Sequence, residues 1–349
     1  MPLTGITTMS YVGGVGGHVI PPYYSDFLRE NLYSNLYFRP LGTRVEIPRG
    51  YGDKIKIPRW KTPLHASNGT MMLSAGAAAS AIQENVSDGA LVSAFGLSAE
   101  DITGQVVMFA GGRAYTDKLI LVTRANYLEG ALESLSREMA FKFDRYTRKN
   151  ISANAFLAFA GSNVGKAATT DALFGKNIAK IRPYMDAHNV PAWDDEQFVA
   201  LCNPLVQYDV YRDISATGFV PVARYNDAMK IYRGEIGSMY GIRFLLSNTI
   251  PIYGGTANGR QAAASATNGI SAGATGSNAW VFGPDAFYTI ELEDGGLEVI
   301  HHPPGSGGST GDIANQRGSI AVKAWYGVAP APAKDQRLMR FAHGIGLHY

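Results

Sequence analysis

A mixed α+β fold built around one very long helix is what this 349-residue sequence predicts, on three observations. Residues 44–48 (RVEIP) and 54–60 (KIKIPRW) alternate apolar with polar side chains, the period of a strand with one buried face. Between residues 116 and 159 apolar side chains recur at intervals of three and four, the period of an amphipathic helix. From about residue 178 onward, short strand and helix signals alternate without an internal repeat.

Composition bounds the function. With 46% apolar residues the chain can bury a large core, as one elaborated domain or two closely joined subdomains. Lys plus Arg number 31 against 29 acidic residues, and a net charge of +2 lacks the basic footprint of a protein that condenses or tracks DNA. The single cysteine, Cys202, forbids an intrachain disulfide and is expected to be a buried apolar residue in a reducing compartment. The N-terminus has no basic start followed by an apolar run, and no later stretch reaches the roughly 20 apolar residues of a membrane span, so neither an export signal nor a membrane contact is expected.

Taken in order, residues 13–17 are too glycine-rich to hold structure alone and read as part of an extended arm that a neighbour must order. Residues 25–38 (SDFLRENLYSNLYF) predict a short helix capped by Ser25 or Asp26 and stopped before Pro40. The two alternating segments at 44–48 and 54–60 predict a hairpin turning at 49–53, with Lys54 and Lys56 on one face. Residues 63–99 are small and weakly patterned, and a second extended run at 105–109 closes one long excursion from the body.

Leu121, Ala125, Leu128, Leu132, Leu135, Met139, Phe143 and Tyr146 then form one stripe, predicting a helix over 117–149 that would be about 50 Å long. Gly130 lies inside it, where a bend or a close backbone contact is expected. Acidic Asp194, Asp195 and Glu196 predict a helix start over 193–200, and 204–215 predicts another short helix. Strands are predicted at 241–253, 280–282, 297–301 and 320–328, with a final extended run near the end of the chain. Residues 254–279 are small and polar and predict a surface loop.

Catalytic motifs fail when their full chemistry is required. Residues 161–167 (GSNVGKA) have three residues between the glycines where a phosphate-binding loop needs four, and Ala167 stands where a hydroxyl must hold the metal. The GGSTG at 307–311 lacks a strand running into a helix, because Pro303, Pro304 and surrounding glycines make a loop. Adjacent His301 and His302 would point to opposite faces of a strand and cannot readily chelate one metal. No nucleophile, base and orienting residue converge, so no enzyme activity, cofactor or metal is expected.

A glycine-rich arm, a long excursion, a long helix, a mixed domain and a returning C-terminal strand occur here in the order that resembles the Hong Kong phage type of capsid fold. More specifically, FVPVA at 219–223, IYRGEIG at 231–237, GIRF at 241–244 and KAWYGV at 323–328 resemble the major capsid family of the N-four-like coliphages. The resemblance spans roughly residues 100–349 and weakens over the first hundred, where the Ala-rich insert departs from the family, as does the loop at 254–279.

This resemblance implies an N-terminal arm (1–43), an extended loop (44–110), a peripheral domain with a spine helix (111–177), an axial domain (178–318) and a C-terminal strand returning to the peripheral domain (319–349). It implies a virion protein that self-assembles into hexamers and pentamers of an icosahedral or prolate shell around double-stranded DNA. Assembly would occur in the host cytoplasm with a scaffolding protein and a portal, and a decoration protein in some relatives. A tail or tube subunit is the alternative, though it has no use for so long a helix after a long hairpin. In the related fold the extended loop lies over an adjacent subunit. Arg49, Lys54, Lys56, Arg59 and Lys61, with Asp53 the one acid among them, would there meet acidic Glu129, Glu133 or Glu138 of the neighbour's long helix.

Overall fold

The computed structural model describes residues 36–60, 99–122, 127–161, 166–173, 175–188, 190–193, 196–212, 220–221, 234–254, 269–271, 274–293, 297–305, 316–332 and 337–345, together with Leu32 and Ala314. In chain order the strands are β1 (Thr43–Ile47), β2 (Lys54–Trp60), β3 (Ala99–Thr116), β4 (Phe156–Phe159), β5 (Phe198–Cys202), β6 (Val220–Pro221), β7 (Glu235–Met239), β8 (Ile242–Leu246), β9 (Ile252–Tyr253), β10 (Gly276–Phe282), β11 (Phe287–Leu292), β12 (Glu298–His302), β13 (Arg317–Pro330) and β14 (Leu338–Gly344). Among the described residues the helices are α1 (Asp117–Val122), α2 (Tyr127–Ser152), α3 (Gly175–Ile178), α4 (Ile181–Ala187) and α5 (Val206–Arg212), with a 3-10 turn at Arg39–Leu41.

Two sheets carry the fold. The first runs β1-β11-β13-β3-β2, with β12 also on β13; the second runs β4-β14-β10-β5-β8-β7-β6, with β9 also on β10. Long β3 and β13 pair antiparallel from Thr116 with Arg317 to Val106 with Gly327, and β2 continues the ladder on the other edge of β3, from Lys54 with Gln105 to Trp60 with Ala99. The ladder depends on small residues where layers approach closely. A Cβ on Gly104 would lie 2.2 Å from Ile290 Cδ1, and one on Gly327 would lie 2.6 Å from the Gln105 carbonyl oxygen.

Helix α2 crosses the first sheet and buries Leu132, Leu135, Met139, Phe143 and Ile151 against it. Phe143 stacks on Tyr326 of β13 at 4.7 Å, and Phe109 of β3 meets Phe143 and Tyr146 edge-on. The same core continues to Trp280 and Phe282 of β10, so the helix ties one sheet to the other. The opposite face of the second sheet closes a separate core from Phe198, Cys202, Phe244, Val281 and Phe341 with Ile181 and Met185 of α4.

Most predicted elements are present, and several differ for identifiable reasons. The predicted long helix is seen as α1 and α2, residues 123–126 lying outside the described set, and it continues to Ser152. Leu121 does not join the buried stripe; it is 78% exposed. Gly130 has neither the expected close contact nor crowding, since a Cβ there meets open space.

The predicted hairpin of 44–48 with 54–60 is not formed. Strand β1 pairs in parallel with β11, placing Ile47 in a small core with Ile290, Ile102 and Val106, while β2 pairs with β3. The helix expected over 193–200 is instead β5, whose five residues are all buried between β10 and β8, and a strand covered on both faces has no alternation to reveal it.

The loop expected over 254–279 ends earlier than its composition suggested. Ile270 is fully buried with Ala167 and Ala342, and residues from Gly276 belong to a fully buried strand. Small residues there serve close packing: a Cβ on Gly276 would meet the His343 carbonyl oxygen at 2.5 Å. The expected boundary at 110/111 falls inside β3, and the last segment divides, β13 joining the first sheet and β14 the second. Most of the helix expected over 25–38 and of the excursion at 63–99 lies outside the described residues.

Candidate subunit interface

The β2–β3 ladder presents two chemically different faces. Ile55 and Ile57 turn toward Ile102, Val106 and Ile290, while Lys54 and Lys56 alternate outward and are exposed, as the period-two pattern requires. Among the described residues neither lysine side chain makes an ion pair or hydrogen bond. Arg49 lies in the exposed turn before β2, its backbone N–H donating to Glu293 Oε2 at 3.2 Å. Arg59 is half-buried opposite Glu100, and Lys61 is outside the described residues. Asp53 accepts a hydrogen bond from Gln105 Nε2 at 2.8 Å, which fixes the turn to β3.

On α2 the expected acidic partners are already engaged at home. Glu133 accepts from Arg137 at 2.6 Å along the helix, and Glu138 pairs with Arg113 of β3. Both carboxylates remain open to solvent, at 44% and 57% side-chain exposure, which leaves room for a second cation. Glu129 is half-buried in the first turn.

A third feature joins the segment before β1 to the helix. Asp144 is buried on the inner side of α2, and its carboxylate accepts the backbone N–H groups of Tyr37 at 3.2 Å and Phe38 at 3.4 Å. Burial pushes its pKa up to about 7, against the opposing pull of those two N–H groups and of Arg148. Phe38 is fully buried, edge-on to Trp280 and Phe282, and Arg39 donates to Glu291 with Nε at 2.8 Å and Nη2 at 3.1 Å. Arg44 shares that carboxylate at 3.0 Å. The point where the N-terminal segment enters the core is therefore held by one buried carboxylate, one aromatic pocket and one bidentate ion pair.

In the second sheet Arg243 donates to Glu235 through Nε at 2.9 Å and Nη2 at 2.8 Å, with side chains 6% and 0% exposed. Fully buried His343 has its pKa pushed down to about 4 by desolvation, and its Nδ1 lies 2.8 Å from the Gly344 carbonyl oxygen. Cys202 is buried as expected, and burial raises its thiol pKa to about 12, far from reactive thiolate chemistry. His301 lies 2.5 Å from the Tyr115 hydroxyl. No cluster of three or more His, Cys, Asp or Glu suited to a metal occurs among the described residues.

Sequence reasoning missed Asp144, Arg39 and Glu291. An acid next to Phe143, one step from the apolar stripe, was the available signal for Asp144; nothing local marks the other two.

A family model described as "Phage capsid protein" matches residues 99–339. The solved capsid of Ralstonia phage GP4 is 11% identical with a TM-score of 0.60, covering 97% of this chain and 95% of that one. The capsid of the cyanophage P-SCSP1u is 13% identical with a TM-score of 0.58 (98% and 93%), and that of the cyanophage Pam1 is 11% identical with a TM-score of 0.56 (99% and 99%). No curated protein matches the chain.

Proposed function

The chain belongs to the phage capsid protein family, and from that premise we propose that it assembles as hexamers and pentamers into a closed icosahedral or prolate shell enclosing double-stranded DNA. It is a major capsid protein of the virion with the Hong Kong phage type of fold, and its role is structural. The observation that carries the reading is the family match over residues 99–339, which includes the long helix and most of both sheets. Assembly takes place in the host cytoplasm around a scaffolding protein and a portal; some relatives add a decoration protein. We assign residues 1–43 to the arm, 44–110 to the extended loop, 111–177 to the peripheral domain, 178–318 to the axial domain and 319–349 to the returning strand.

The assembly contact we favour places the basic face of the β2–β3 ladder on the acidic first half of a neighbouring α2. The Lys54 and Lys56 side chains have no partner among the described residues, and they act with Arg49, Arg59 and Lys61 on Glu129, Glu133 and Glu138 of the neighbour. Each exposed pair contributes only about 0–1 kcal/mol, and repetition at every subunit makes the contact decisive. Until a neighbour arrives, the lysines also deter edge pairing by β2. Electron microscopy of the protein expressed with its neighbouring genes tests the reading: closed shells or hexamers are expected, whereas tubes or discrete small oligomers would overturn it.

A further inference from the structure

Charge is segregated along α2. Its described acids Glu129, Glu133 and Glu138 lie in the first half, and the second half carries Lys142, Arg145, Arg148 and Lys149. The one acid of the second half, Asp144, faces inward and is occupied by the Tyr37 and Phe38 N–H groups. Arg148 also turns inward, donating to the Thr249 carbonyl oxygen. Lys142, Arg145 and Lys149 are left exposed, spaced three and four residues apart, so they form one ridge about 10 Å long. Among the described residues none of the three side chains makes a hydrogen bond or ion pair.

Helix electrostatics does not account for this ridge. Attraction of cations to a helix C-terminus fades within the last turn, which covers Lys149, whereas Lys142 and Arg145 stand ten and seven residues before Ser152. Like charges at this spacing are mildly repulsive, so the isolated subunit gains nothing from them. On a second copy, the α2 acids Glu129, Glu133 and Glu138 are the ones assigned above to the basic face of the β2–β3 ladder, and Glu46 and Glu298 are paired with Arg44 and Lys323. A duplex offers an unbroken row of phosphates at any register, which three flexible cations in line can meet without reading sequence.

We propose that the ridge of Lys142, Arg145 and Lys149 contacts the phosphates of the enclosed duplex, so that the C-terminal half of α2 faces the shell interior. The inference rests on the shell-forming role proposed above and adds which residues touch DNA and which side of the subunit is internal. It agrees with the net charge of +2, because three clustered cations bind weakly in one subunit and act together only when arrayed.

The test compares wild type with the triple variant Lys142→Gln, Arg145→Gln, Lys149→Gln, which keeps good helix formers at exposed positions. Binding of purified subunits to a short duplex is measured against salt, and DNA-filled particles are imaged by cryo-electron microscopy. The expected loss of three phosphate contacts lowers the slope of log K against log salt by about 2.7, so between about 50 and 200 mM salt the wild type loses about 40-fold more affinity than the variant. Filled wild-type particles should show the outermost DNA layer touching residues 142–149. An unchanged slope with unchanged circular dichroism overturns the inference, as does a map with this ridge outside the shell or beneath a neighbouring subunit. Wild-type shells with no variant shells would reassign the ridge to a subunit contact. Wild-type protein that forms no shell overturns the shell-forming reading itself, and the inference with it.

Discussion

Replacing Asp144 with Asn should expose two opposed titrations inside the subunit. Asp144 moves from an ordinary 3.8 to about 7 on burial, so the folded state holds its proton more tightly than the unfolded chain. Its stabilising contribution is complete below about pH 4 and is lost as pH rises through about 7; roughly three units correspond to about 4 kcal/mol. His343 acts in the opposite sense. Its pKa falls from 6.5 to about 4, so its contribution is complete above about pH 6.5 and is lost as pH falls toward 4, about 3 kcal/mol in all.

Between about pH 4 and 6.5 the two slopes nearly cancel. Tyr37 and Phe38 donate to different oxygens of Asp144, so the Asp144→Asn amide keeps an acceptor for one of them and turns its NH2 toward the other, a cost that does not vary with pH, while the proton linkage is gone. Urea unfolding followed by tryptophan fluorescence from about pH 4 to 8 reads the difference, and buried Trp280 beside Phe38 reports on the same region. The variant should gain stability relative to wild type as pH rises, by up to about 4 kcal/mol at the top of the range. A pH-independent difference would refute the reasoning, because it would mean that Asp144 is solvated and that Tyr37 and Phe38 are not docked on it.

Other substitutions test separate parts of the fold. Arg243→Ala strands the fully buried Glu235 carboxylate and should cost about 3–5 kcal/mol in chemical denaturation, whereas exposed Lys118→Ala should change little. Gly104→Ala forces a methyl group into Ile290 and Ala329 and should cost about 1–3 kcal/mol, read as a lowered melting temperature. Gly130→Ala, in open space on the exposed side of α2, should instead stabilise the subunit by about 1 kcal/mol. Lys54→Glu, Arg59→Glu and Lys56→Glu together should leave a soluble subunit with unchanged circular dichroism that forms no shells under the electron microscope; normal shells would dismiss the proposed contact.

What the sequence by itself determined is local and periodic. The stripe from Leu128 to Tyr146 announced α2, because only a helix brings residues three and four apart onto one face. Alternation in 54–60 placed Lys54 and Lys56 outward before any partner strand was known. Burial of Cys202 followed from the chemistry of a lone thiol. Tertiary structure decided which surfaces meet. A period shows that a strand has a buried face without showing what buries it, so β1 passed over its sequence neighbour β2 for parallel pairing with β11. Strand β5, buried on both faces, carried no period, and its acidic approach resembled a helix start. The partners of Glu133, Glu138 and Asp144 depended on where α2 lies against β3 and the incoming arm, since a charge within a helix is neutral in meaning until the fold places a cation, a backbone N–H or solvent beside it.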